Sequence, residues 1–117
     1  MNDQPLVKLA VQAADSKNAQ NIKVLHMNGI SVVADYFMIT HGSSVKQVQA
    51  IASEVKEQAE KNGYETKRME GYREGRWVLI DLGDVVAHVF HEDDRLYYNL
   101  EKLWGEADQI EVGRMLA

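Results

Sequence analysis

The sequence predicts an α/β domain, one mixed β-sheet flanked by helices, with residues 1–117 forming a single unit. Three observations lead there. Apolar residues recur at helical spacing near the start, middle and end of the chain, separated by short aromatic and β-branched runs. Two of those runs flank Gly83-Asp84, a two-residue hairpin signal. No internal repeat, low-complexity tract or linker divides the 117 residues, a length close to the commonest domain size. The resulting order, α-β-β-α-β-β-β-α, suits a mixed sheet covered by helices.

Asp3 can cap a first helix with Pro5 just inside it, and Leu6, Leu9, Ala10, Ala13 and Ala14 carry its apolar stripe to about Lys17. Ser16 to Asn21 is polar and reads as a loop. Ile22 to Met27 reads as a strand ended by Asn28-Gly29. Tyr36 to Thr40 is a second strand that runs into His41-Gly42-Ser43. Ser44 with Gln47 forms a capping box. Val45, Val48, Ala52, Val55 and Ala59 follow as one stripe, closed by Asn62-Gly63. Tyr64 to Met69 reads as a third strand, followed by a glycine-punctuated loop from Glu70 to Gly75.

Trp77 to Leu82 and Val85 to His91 then form the hairpin, and its turn sets the register. Leu82 faces Val85, Ile80 faces Ala87 and Val78 faces Val89, an aliphatic face expected on the core side. The other face pairs Asp81 with Val86, Leu79 with His88 and Trp77 with Phe90. A last helix is expected from Asp93 or Asp94, with acidic residues at the positive end of its dipole. Leu96, Leu100 and Leu103 form its buried stripe, Tyr97, Glu101 and Trp104 lie round a neighbouring face, and Tyr98 points to the other side. Gly105 closes it and leaves a weakly patterned tail.

Composition narrows the function classes. The chain has no cysteine, which excludes disulfide scaffolds, Cys-based zinc sites, iron–sulfur clusters and thiol nucleophiles. No stretch approaches the ~20 apolar residues of a membrane span, and the N-terminus lacks the pattern of a signal peptide, so a soluble, cytoplasmic protein is expected. The net charge of −5 is unevenly placed. Residues 1–58 carry five acidic and five basic side chains, whereas 81–111 carry nine acidic against two basic, a local −7. Phosphate neutralisation needs clustered Lys and Arg, so direct nucleic-acid binding by this half is not expected. An acidic face suits a basic protein surface, or simply keeps the protein in solution.

Candidate chemistry is sparse. His88 and His91 stand three apart in a strand and so point to opposite faces, unable to share a metal ion. His88 is expected half-exposed and His91 at the strand end. Thr40-His41-Gly42-Ser43-Ser44 joins a strand to a helix start, a junction that can hold phosphate and that nucleotidyltransferase folds use to seat a nucleotide. Those enzymes also need paired acidic residues on the next strand for magnesium. Tyr64-Glu65-Thr66-Lys67-Arg68-Met69 lacks the pair, and Asp81 and Asp84 straddle a turn. The turn is therefore read as a helix cap, with no cofactor and no metal. No Walker loop, Rossmann glycine pattern or nucleophile elbow is present. What remains is the mixed hairpin face and the final helix. Trp77, Leu79, Phe90, Tyr97, Tyr98 and Trp104 either complete the core or form the aromatic centre of an acidic-rimmed protein-binding patch. Trp77 is the leading candidate.

Three blocks of sequence carry a family resemblance: Asp35-Tyr-Phe-Met-Ile-Thr-His-Gly-Ser-Ser44 with Gln47, Glu70-Gly71 with Trp77 to Phe90, and Arg95-Leu-Tyr-Tyr-Asn-Leu-Glu-Lys-Leu-Trp104. Together they closely resemble the ribosomal silencing factor family, also called Iojap-related, over nearly the whole chain. The resemblance implies a nucleotidyltransferase-like fold without the catalytic carboxylates, and no enzymatic activity. It implies binding to the large ribosomal subunit through its protein number fourteen, steric block of joining with the small subunit, repression of translation when nutrients run short, and a homodimer in isolation. Carried over by position, the partner-binding residues are Trp77, Leu79, His88, Tyr98, Leu100 and Glu101, with Asp81 nearby. Two other readings stand beside it: a nucleotidyltransferase-like enzyme with unusual metal ligands, and a homodimeric module with an unrelated protein partner.

Overall fold

A computed structural model describes residues 5–27, 34–98, 108–110 and 112–116. Helix α1 (Pro5–Ser16) leads into strands β1 (Gln20–His26) and β2 (Tyr36–Gly42), then helix α2 (Val45–Lys61). Strands β3 (Arg68–Glu70), β4 (Trp77–Asp81) and β5 (Val85–His91) follow, then helix α3 (Glu92–Tyr98), strand β6 (Asp108–Ile110) and helix α4 (Gly113–Leu116). The strands form one sheet in the order β3-β4-β5-β2-β1-β6. β2 and β5 pair in parallel and the other neighbours antiparallel, so the sheet is mixed, as expected.

Helices α1 and α2 cover one face of the sheet. Their apolar stripes, including Leu6, Val7, Val11, Val48 and Val55, form a single core with Val24, Met38, Val78, Ile80, Ala87 and Val89. The hairpin register is the one the turn dictates: Ile80 lies opposite Ala87 and Val78 opposite Val89, all fully buried. The stripe of α2 is wider than its spacing suggests. Ile51 joins it, while Val45 at the first turn is only partly buried.

Both ends of α2 are fixed by local hydrogen bonds. Ser44 is the N-cap, its Oγ accepting from the Gln47 N–H at 3.1 Å. Gln47 departs from a plain capping box: its Oε1 accepts from the Ser43 N–H at 2.7 Å, one residue earlier than expected. Its Nε2 donates to the carbonyls of Lys17 and Asn18, which ties the start of α2 to the α1–β1 turn. At the C-terminus Gly63 adopts φ +89, and the N–H groups of Gly63 and Tyr64 return to the carbonyls of Glu60 and Ala59, a Schellman closure.

Several boundaries differ from expectation, among them the end of β2, which runs two residues past Thr40 to Gly42. β1 begins at Gln20, inside the expected loop, because Asn21 at φ 48 sits at a register shift that lets the strand start early. β3 is three residues long and not six, since Tyr64 still closes α2 and only Lys67 reaches across to the Asp81 carbonyl before the ladder starts. α3 begins at Glu92, one residue early. Asp108–Ile110 pairs with β1, Val24 opposite Ile110; three residues without alternation give no strand signal of their own, and the neighbouring edge supplies it.

Candidate functional site

The sheet face turned away from α1 and α2 is set by strand register. One row runs Arg68, Asp81, Val86, Phe37, Leu25, and the next runs Glu70, Leu79, His88, Ile39, Lys23. A third row joins Trp77, Phe90 and His41. The middle of this face is a second apolar cluster of Leu25, Met27, Ala34, Phe37, Ile39, Val86 and Phe90, with Trp77 and Leu79 packed against it and partly exposed. The exposed part of the layer thus lies on β4, next to the charged residues of β3.

Trp77 is held from two sides. Its ring stacks on Phe90 with centroids 5.1 Å apart, and its indole N–H donates to His88 Nδ1 at 3.1 Å. The chain reaches Trp77 through a turn that tolerates no side chain at Gly71. There φ is +79, and a Cβ would overlap the Trp77 carbonyl oxygen. Gly71→Ala is expected to lower unfolding free energy by ~2 kcal/mol or more, from left-handed strain plus that overlap. Urea denaturation checks this, and an unchanged midpoint would show that the turn does not set the Trp77 backbone.

The half-exposed position expected of His88 is corrected: the residue is 4% exposed. β2 pairs along its far side, placing Ile39 beside it, while the Phe37 ring meets the imidazole edge-on at 4.7 Å. Burial lowers its pKa from 6.5 to about 4, so the ring is neutral at pH 7. The unfolded chain therefore takes up this proton first as pH falls. The stability that neutral His88 confers is complete above pH 6.5 and is lost as pH drops toward 4, a change of up to about 3 kcal/mol. Denaturant midpoints at pH 7 and pH 4.5 should show a smaller acid loss in His88→Gln than in wild type. An equal loss would place the acid sensitivity elsewhere.

Asp81 borders the patch with its side chain 16% exposed. Its Oδ1 accepts from the Gly83 N–H at 3.0 Å, and its Oδ2 lies 3.7 Å from Arg68 Nε. Arg68 also pairs with Glu70 at 2.8 Å. Trp77, Leu79, Asp81 and His88 therefore share one face, with His88 beneath Trp77. Tyr98 ends α3, its side chain lying outside the described residues, as do Leu100 and Glu101.

Sequence reasoning missed Arg95, which is buried although charged. Its Nη1 donates to the Asn21 carbonyl at 2.7 Å and contacts His41 Nδ1 at 2.9 Å, pinning α3 to the irregular start of β1. Arg76 holds the same helix through both oxygens of Asp94, at 2.9 and 3.1 Å. The positive φ of Asn21, which turns its carbonyl toward Arg95, is visible only in the fold, so no local signal pointed to Arg95. At the strand–helix junction, Gln47 occupies the Ser43 N–H and Ser43 Oγ, and the Gly-Ser turn serves as the expected cap. Among the described residues no helix is long and apolar enough to cross a membrane.

Comparison with known proteins agrees with these blocks of sequence. The profile of the family described as "Ribosomal silencing factor during starvation" matches residues 1–116. The chain is 63% identical over 107 residues to the ribosomal silencing factor RsfS of Bacillus subtilis, covering 92% of this chain and 91% of that protein. It is 60% identical over 112 residues to the protein of the same name in Halalkalibacterium halodurans, covering 96% of each. A crystal structure of a Bacillus halodurans protein superposes with a TM-score of 0.84 at 58% identity, over 93% of this chain and 99% of the other. These relatives are named for silencing ribosomes and not for an enzymatic activity.

Proposed function

The chain belongs to the ribosomal silencing factor family, and from that premise we propose that it represses translation by binding the large ribosomal subunit through its protein number fourteen. Bound there, it blocks joining with the small subunit. The observation that carries this reading is the β4 side of the sheet, where Trp77 and Leu79 stay partly exposed over a buried apolar layer, beside Asp81 and Glu70. A rigid aromatic centre bordered by carboxylates is suited to a basic protein surface, and residues 81–111 carry a net −7 along the sequence, the sign that such a partner attracts.

The action is steric and needs no turnover. Its strength follows mass action: at tenfold its dissociation constant, the protein leaves about 9% of subunits free. Tyr98, Leu100 and Glu101 are proposed to complete the contact surface, and in isolation the chain is proposed to pair with a second copy, as the family resemblance implies. The protein acts in the cytoplasm, where ribosomal subunits join.

Subunit joining followed by light scattering tests the reading. Adding the protein to large subunits before small ones should suppress joining in proportion to occupancy. Full joining at saturating protein would overturn the proposal.

A further inference from the structure

The Trp77 side chain has a single hydrogen-bonding atom, Nε1, and it donates to His88 Nδ1 at 3.1 Å. The acceptor must be an unprotonated nitrogen, so His88 is neutral and carries its proton on Nε2. That proton has no acceptor among the described residues although Nε2 is buried, and a buried donor left unmade costs about 1–3 kcal/mol. A leucine at position 88 would fill the layer beside Phe37, Ile39 and Leu79 without that cost. Packing alone does not account for a histidine here. The acceptor it turns toward Trp77 does.

We propose that His88 is a positioning residue for Trp77, fixing the indole on Phe90 with its one polar atom turned into the protein. The inference rests on the sheet face being the ribosome-binding surface, and it defines the contact more closely. With Nε1 occupied, Trp77 offers a partner only ring carbons and a π-face. That surface fits the aliphatic stem and cationic head of a Lys or Arg laid across the ring, and it asks the partner for no hydrogen-bond acceptor. His88 acts through Trp77 and does not itself touch the partner.

Two measurements on the full chain test this. In wild type, a through-hydrogen-bond coupling between the Trp77 Nε1 and His88 Nδ1 nitrogens should appear by NMR, with nitrogen shifts of an Nε2-protonated ring. Absence of the coupling together with an Nδ1-protonated ring would overturn the proposal without any variant. Affinity for purified large subunits is then compared across variants. His88→Leu, which removes the acceptor, is expected to bind about tenfold more weakly, and His88→Gln, which restores one, to recover to within about threefold of wild type. Equal loss in both variants would mean that the imidazole has another role and would overturn the proposal. Wild-type affinity in His88→Leu, with loss in Trp77→Ala, would remove the positioning role but leave the face. Wild-type affinity in Trp77→Ala would instead remove the face itself.

Discussion

Phe90→Ala is expected to lower the unfolding free energy by about 3–5 kcal/mol, the range for truncating a fully buried aromatic. Phe90 is 0% exposed and lies between His41 of β2 and Trp77 of β4 in the cross-strand row. Removing the ring leaves a cavity in the second apolar cluster and takes away the surface on which the indole stacks. Urea denaturation gives the loss of stability directly. Ribosome binding should fall as well, even at temperatures where the variant stays folded, because Trp77 loses its floor. A loss below about 1 kcal/mol would show that this face is loosely packed, against the layered arrangement described above.

Trp77→Ala should do the reverse, sparing the fold and removing the partner. Trp77 is only partly buried, and the sheet beneath it is held by the helices on the other side. Truncation exposes part of Phe90 and frees His88 Nδ1, a modest cost to a domain whose main core is untouched. As an aromatic anchor at the centre of an interface, Trp77 should contribute at least ~2 kcal/mol, roughly a 30-fold loss of affinity for the large subunit. Circular dichroism and titration of large subunits separate the two effects. An unfolded Trp77→Ala protein would make Trp77 a core residue and deprive the patch of its centre.

The parts of this account that were legible in the sequence are those set by short-range chemistry. Gly83-Asp84 sets the hairpin, and the register then follows without further information, so the division into Val78-Ile80-Leu82 and Trp77-Leu79-Asp81 faces could be read directly. Ser44, Gln47 and Gly63 mark the ends of α2 for the same reason. The parallel pairing of β2 with β5 is long-range, and it is what buries His88 between Phe37, Ile39 and Trp77. A period-two pattern on one strand shows which way His88 points, but not what lies on top of it. Arg95 and β6 escaped notice for a related cause. Each is defined by β1, one through the carbonyl of Asn21 and the other through the edge at Val24, and neither carries a pattern of its own.

The β4 side of this sheet is proposed to meet the large ribosomal subunit. Co-sedimentation of the purified protein with separated large and small subunits, wild type beside Trp77→Ala, tests it most directly. Wild type should pellet with large subunits and not with small ones, and the folded variant should stay in the supernatant. Wild-type protein that pellets with neither subunit, or a folded Trp77→Ala that pellets as wild type does, would contradict it.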